Sequence, residues 1–164
     1  PALSSAASDV YKRQILSYSD FTPFREWAEE RLETINSGIP GNYSSNVKIN
    51  AAWINRYNKG DYNRAHNHPW SLYSGVVFLT GNSGNMVFIK PNPYNEEVLK
   101  ISNVHDTVPF QSQGGKMVVF PSTLKHFVTE NQNETIRYTL AFNAMPDKVD
   151  DGHTVQFKNC HTDG

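Results

Sequence analysis

The sequence predicts a mainly β domain, a sandwich or barrel buttressed by one helix, and three observations predict it. Its 164 residues suit a single domain. One stretch near the start has helical periodicity, and the runs after it alternate. Those runs are short and separated by turn chemistry, the pattern of a β-sandwich or barrel rather than of alternating strands and helices.

In chain order, Pro1 to Gln14 (PALSSAASDVYKRQ) is small, polar and aperiodic. It reads as a tail or a cloning or sequencing remnant and is similar to translated adaptor sequence, so the expected domain runs over 15–164 and a native beginning is expected to be missing. Thr22-Pro23 places a hydroxyl cap before a first-turn proline, and Phe24, Trp27, Ala28, Leu32 and Ile35 follow at spacings of three and four, which predicts an amphipathic helix. Gly38-Ile39-Pro40-Gly41 stops it. From Val47 the period becomes two: Val47, Ile49, Ala51, Trp53, Asn55 and Tyr57 are expected on one face of a strand ending at the turn Asn58-Lys59-Gly60-Asp61. Further strands are predicted at Leu72 to Thr80, Met86 to Lys90, Lys116 to Phe120, His126 to Glu130 and Thr135 to Asn143. Gly81-Asn82, Pro91-Asn92-Pro93, Gly114-Gly115 and Asn131-Gln132-Asn133 lie between them.

Composition narrows the function. A net charge of -1 gives no broad basic field of the kind that sequence-independent nucleic-acid binding needs. The longest apolar runs, such as Val76-Val77-Phe78-Leu79, are strand-sized and far short of a membrane-spanning helix. Twenty aromatic residues (9 Phe, 8 Tyr, 3 Trp) supply core bulk without disulfides. The lone Cys160 has no internal partner, which favours a reducing, cytoplasmic setting.

Chemistry concentrates in the histidines. In His66-Asn67-His68, residues two apart on an extended segment project to one face, so both imidazoles can reach one ion. His126 lies 58 residues beyond His68 at the start of another predicted strand. A close pair plus one distant ligand is how a β-scaffold assembles a three-ligand metal face with open positions. An isolated His-X-His is also common as ordinary loop polarity, so the surrounding sequence decides. On the last predicted strand, Ile136, Tyr138, Leu140 and Phe142 form an apolar face, leaving Arg137, Thr139, Ala141 and Asn143 on the other. An Arg directed into a barrel needs a carboxylate partner, which its planar fork can bind through two parallel bonds; the alternative is a half-buried sheet with Arg137 in solvent. His105-Asp106 reads as a surface loop pair, and His153 and His161 accompany Cys160 in a polar C-terminal segment.

The ordered series Arg56-Tyr57-Asn58-Lys59-Gly60-Asp61-Tyr62, His66-Asn67-His68-Pro69, Ser74-Gly75-Val76-Val77-Phe78-Leu79, Phe120-Pro121-Ser122-Thr123-Leu124-Lys125-His126 and Arg137-Tyr138-Thr139-Leu140-Ala141-Phe142-Asn143 resembles the Fe(II)- and 2-oxoglutarate-dependent oxygenases. It resembles in particular a branch common in phage and marine bacterial genomes and related to the prolyl hydroxylases. The likeness spans about Val47 to Asn143. It implies a double-stranded β-helix, a cupin-like jelly roll with an N-terminal buttressing helix. It implies a dioxygenase that uses Fe(II), 2-oxoglutarate and dioxygen to hydroxylate a small-molecule or peptide substrate. By position, His66 would be the first metal ligand, His126 the distal one and Arg137, 11 residues later, the anchor for the 5-carboxylate of 2-oxoglutarate. Tyr57 matches a family tyrosine near the cosubstrate, or fills the barrel as an aromatic; Thr139 and Asn143 are further pocket candidates.

Two departures stand out. His68 occupies the family's usual carboxylate position, so the ligand set would be His66, His68 and His126. Three neutral imidazoles leave the full divalent charge on the ion and discriminate less well against Zn, Ni or Cu. Phe78 stands where prolyl hydroxylases carry a second tyrosine, which places more of the carboxylate's binding on Arg137. A three-His cupin-like dioxygenase or isomerase that does not use 2-oxoglutarate, and a non-catalytic jelly-roll binding module, remain alternatives to the hydroxylase.

Overall fold

A computed structural model describes residues 14–39, 46–81, 84–91 and 107–147. Most of the expected N-terminal tail, the stop at Pro40-Gly41, His105-Asp106 and the segment with His153, Cys160 and His161 lie outside the described residues. A short helix α1 (Gln14–Ser17) and a 3-10 turn (Ser19–Phe21) lead into α2 (Thr22–Ser37). The hydroxyl cap expected from Thr22 does not form. Thr22 is already helical, its N–H bonds the Ser19 carbonyl, and Phe21 takes the cap position. The preceding turn satisfies that end of the helix because burial of Phe21 draws the chain in before the helix begins.

Eight strands follow: β1 (Val47–Tyr57), β2 (Asn63–His66), β3 (Tyr73–Phe78), β4 (Asn85–Ile89), β5 (Thr107–Gln111), β6 (Met117–Pro121), β7 (His126–Val128) and β8 (Arg137–Pro146). They form two antiparallel sheets ordered β1-β8-β3-β6 and β2-β7-β4-β5. First pairs with last, second with second-to-last, and so inward. This is a long hairpin coiled on itself, a double-stranded β-helix or jelly roll. Two strands escaped the sequence reading. β2 is only four residues long and bulged against β7. β5 (TVPFQ) carries Pro109, which an edge strand such as this tolerates and which masks its pattern.

The first sheet is covered on both faces. Ala28 and Leu32 of α2 pack with Phe21 on Val47, Ile49, Ala52, Leu140, Phe142 and Ala144, and the Phe24 ring meets Phe142 edge-on at 6.2 Å. Between the sheets lies a second cluster of Phe78, Met86 and Phe120, flanked by Val76, Phe88 and Phe110.

β1 does not keep the single face its alternation predicts. A bulge between Ile49 and Ala51 shifts the phase by one residue. Before it, Val47 and Ile49 face the helix; after it, Ala52 does. Trp53, Asn55 and Tyr57 thereby turn into the space between the sheets. The helix holds the irregular strand through Glu29, whose carboxylate accepts the Ile49 N–H at 3.0 Å and pairs with Lys48 at 3.0 Å.

Gly75 of β3 sits opposite Phe142 in register, and the phenyl ring occupies the space a side chain would need. A Cβ at Gly75 would lie 2.1 Å from Phe142 Cζ. Gly75→Ala should therefore destabilise the protein by about 1–3 kcal/mol through overpacking, read as a lower urea midpoint. An unchanged midpoint would show that the ring moves aside freely.

Candidate metal centre

β2 and β7 pair so that His66 stands opposite His126. His68 lies just past the end of β2, where its backbone N–H donates to the Ser122 carbonyl at 2.9 Å. The three rings gather at centroid separations of 4.4 Å (His66 to His126), 5.0 Å (His66 to His68) and 5.2 Å (His68 to His126). One ligand atom from each lies within 4.8 Å of the others, the one such group among the described residues. Trp53 backs His68 at 5.8 Å, and Phe120 meets His126 edge-on at 4.8 Å.

Two of the rings are oriented by their own neighbourhood. His66 Nδ1 lies 2.7 Å from the Arg64 carbonyl and His126 Nδ1 lies 2.9 Å from the Leu124 carbonyl. A carbonyl only accepts, so each Nδ1 carries the proton and each Nε2 presents its lone pair. Burial among aromatic rings pushes His126 down to about 4, with the Leu124 hydrogen bond opposing and His66 adding to the shift. The imidazole is thus neutral at physiological pH, the state a metal ligand needs.

The same cavity continues to a cation. Arg137 on β8 is 2% exposed and lines the space together with the three histidines, Trp53, Tyr57 and Thr139. Its guanidinium carbon lies 4.3 Å from the centre of the Tyr57 ring, a cation–π contact, and Nη2 donates to the Thr129 carbonyl at 3.1 Å. Burial lowers the guanidinium from its ordinary value, with Tyr57 and Asp61 opposing; Arg remains charged regardless. Burial likewise pushes Tyr57 up to about 12, against the pull of Arg137, so the phenol keeps its proton.

A sequence-family model described as "Putative 2OG-Fe(II) oxygenase" matches residues 51–143, more than half of the chain. The chain belongs to the 2-oxoglutarate- and Fe(II)-dependent oxygenase family. No curated protein matches it in sequence. Solved structures agree on the fold. An oxidoreductase of the 2OG-Fe(II) oxygenase family from Burkholderia pseudomallei is 17% identical with a TM-score of 0.56, over 75% of this chain and 56% of its own. A Pseudomonas putida prolyl-4-hydroxylase is 16% identical with a TM-score of 0.55, over 77% and 66%. The non-heme alpha-ketoglutarate-dependent epimerase SnoN from nogalamycin biosynthesis is 12% identical with a TM-score of 0.64, over 84% and 60%. The oxygenase chain thus spans 56% to 66% of the length of these three structures.

The donor set of this oxygenase suits a divalent transition metal. Imidazole nitrogen is a ligand common to Fe, Zn, Ni and Cu. Ligand atoms about 2.1 Å from one ion stand at most roughly 4.2 Å apart, so only small side-chain rotations separate the observed spread from a closed triangle. Of the residues the sequence singled out, His66, His68, His126, Tyr57, Arg137 and Thr139 line one cavity. Asn143 lies outside that lining, its Oδ1 accepting from Ser74 Oγ at 2.9 Å. Sequence reasoning missed Asn63, which donates to the Tyr57 hydroxyl at 2.8 Å, and Asn55 Nδ2, which donates to Thr139 Oγ1 at 3.2 Å. It also missed Gly84. There φ is +85° and a Cβ would meet Arg137 Nη1 at 2.3 Å; only the absence of a side chain lets the guanidinium lie where it does. Asn55 shares the alternating face of Trp53 and Tyr57 but carried no assigned role, while Asn63 and Gly84 belong to no spacing pattern that could have exposed them.

The depressed His126 value sets a pH dependence for the metal-free oxygenase. Above about pH 6.5 the imidazole is neutral in both folded and unfolded chains. Between 6.5 and about 4 the unfolded chain takes up a proton that the folded one refuses, so stability should fall with falling pH by roughly 3 kcal/mol across that window. Urea melts at pH 7 and pH 4.5 on wild type and His126→Phe test this. The variant should lose that part of the acid sensitivity; equal sensitivity in both would discount the buried imidazole as its source.

Proposed function

We propose that this oxygenase is a dioxygenase that hydroxylates a C–H bond of a small-molecule or peptide substrate. Fe(II) would be held by His66, His68 and His126, and 2-oxoglutarate by Arg137. The observation that carries the reading is the sharing of one inter-sheet cavity by three convergent imidazoles and a buried guanidinium. A keto acid with a distal carboxylate is the ligand that uses both. A three-His metal enzyme acting without the keto acid leaves the buried cation unexplained.

Bound Fe(II), with 2-oxoglutarate and dioxygen, would supply the oxidation: one oxygen atom enters the substrate C–H bond and the other the succinate formed as CO2 leaves. The chain's own residues bind and orient. His66 and His126 keep their Nδ1 protons on the Arg64 and Leu124 carbonyls, which aims each Nε2 inward. All three ligands are neutral, so charge compensation falls to the dianionic cosubstrate. Arg137 offers its planar fork to the distal carboxylate. The Tyr57 ring and the Thr129 carbonyl hold that fork in place, while Asn63 fixes the Tyr57 hydroxyl. Thr139 stands beside them on the same strand face and meets the Tyr57 phenol, where its hydroxyl can add a bond to the bound acid. Phe78, Val76 and Met86 line the apolar wall and keep water from the reacting centre. Among the described residues no helix is long and apolar enough to cross a membrane; the lone cysteine accords with a reducing, cytoplasmic setting.

Arg137→Ala should weaken 2-oxoglutarate binding by about 2–5 kcal/mol, because a carboxylate is left without its partner. Anaerobic calorimetry on Fe(II)-loaded protein reads the affinity, and the visible charge-transfer band of a chelated keto acid reports its attachment to the metal. Wild-type 2-oxoglutarate turnover in this variant would refute the anchor. Absence of both heat and band in the wild type would refute the cosubstrate itself.

A further inference from the structure

We infer that Ser122, Ser74 and Asn143 form a buried positioning chain that sets where His68 and His126 stand; the inference rests on the metal reading above. Ser122 is 0% exposed and Ser74 2%. Ser74 Oγ donates to Asn143 Oδ1 at 2.9 Å. A serine hydroxyl has one proton, so the 2.8 Å contact between Ser122 and Ser74 must run from Ser122 as donor. The chain is therefore directed: Ser122 to Ser74 to Asn143, from the turn after β6 across β3 to β8. Every link is needed, because a buried hydroxyl with no partner costs more than the bond itself contributes.

What the chain holds is the backbone of Ser122, and that backbone carries the loop between β2 and β3. The Ser122 carbonyl accepts the His68 N–H at 2.9 Å, and the Ser122 N–H donates to the Leu72 carbonyl at 3.0 Å. The loop from His68 to Leu72, which includes Trp70 at φ +66°, is thus tied to one residue at both ends. The same turn closes through the Leu124 N–H to the Pro121 carbonyl at 2.9 Å, and Leu124 offers its own carbonyl to His126 Nδ1. His66, by contrast, is oriented from within its own strand by Arg64. Two of the three imidazoles therefore hang from a single turn, and the Ser122 hydroxyl fixes that turn to β3 of the first sheet. Loss of the hydroxyl frees the turn to shift and, with it, the His68 and His126 side chains relative to His66.

The test uses Co(II) as the probe ion on the metal-free full chain. Ser122→Ala should raise the Co(II) dissociation constant about tenfold, within the range for residues that orient metal ligands, and should alter the visible ligand-field bands. Tyr73→Phe is the control. It removes a buried hydroxyl bond to Asn36 beneath the helix, away from the histidines, and should lower the melting temperature while leaving Co(II) affinity and spectrum as in wild type. Wild-type affinity and spectrum in Ser122→Ala would overturn the inference, as would the same spectral change in Tyr73→Phe. Should Ser122→Ala fail to fold, Asn143→Ala removes only the terminal acceptor and is expected to shift the bands in the same direction; unshifted bands there would also overturn it. If wild type takes up no Co(II), the ligand assignment itself fails. Uptake by wild type with no effect of Ser122→Ala removes the positioning role alone.

Discussion

The first sheet (β1-β8-β3-β6) has to bury both of its faces, one against α2 and one against the second sheet, and the rest of the molecule is arranged around that demand. On β8 the period of two meets it directly. Leu140, Phe142 and Ala144 go to the helix, while Arg137, Thr139 and Ala141 go to the cavity. On β1 the same demand is met only by breaking the period. Val47 and Ile49 serve the helix, and without the bulge after Ile49 the residues that keep their phase, Trp53, Asn55 and Tyr57, would follow them out of the cavity. Glu29 stabilises the break by accepting the Ile49 N–H, so a helix that looks like packing support also fixes the phase of a cavity wall.

The cavity itself is electrostatically costly. It contains a guanidinium at 2% exposure, faced by the Tyr57 ring and the Thr129 carbonyl. That ring face and that carbonyl oxygen soften its desolvation. At the other end burial pushes the His126 imidazole down to about 4, and carbonyl acceptors fix which nitrogen of His66 and of His126 carries the proton. On the proposed reading, one end of the cavity takes an anion and the other a cation. A ligand that bridges a metal and a distal carboxylate relieves both costs at once, which is the physical basis for assigning the keto acid rather than the metal alone.

Positioning is distributed unequally over the three histidines. His66 depends on short-range geometry within β2, whereas His68 and His126 depend on a turn whose place is set by the first sheet. The antiparallel pairing of β2 with β7 brings two histidines 60 residues apart face to face. The loop that follows β2 is closed from the other sheet through Ser122. The centre therefore straddles both sheets, and its geometry reports on how they are joined.

The sequence by itself determined the helix over Thr22–Ser37 and the long strands β1 and β8, and it favoured without deciding the inward placement of Arg137, because amphipathic periodicity is a local property that burial enforces residue by residue. It also carried the three histidines and the ordered motifs of the family. It did not disclose β2, too short to show a period, or β5, whose proline disguises an edge strand. Nor did it disclose the bulge in β1, the place Gly84 leaves for the guanidinium, Asn63 behind Tyr57, or the Ser122–Ser74–Asn143 chain. Those were decided only by tertiary structure. Each is a contact between segments distant in sequence, or a local irregularity imposed by what packs on either side, and no local pattern encodes which distant partner a buried polar group will meet.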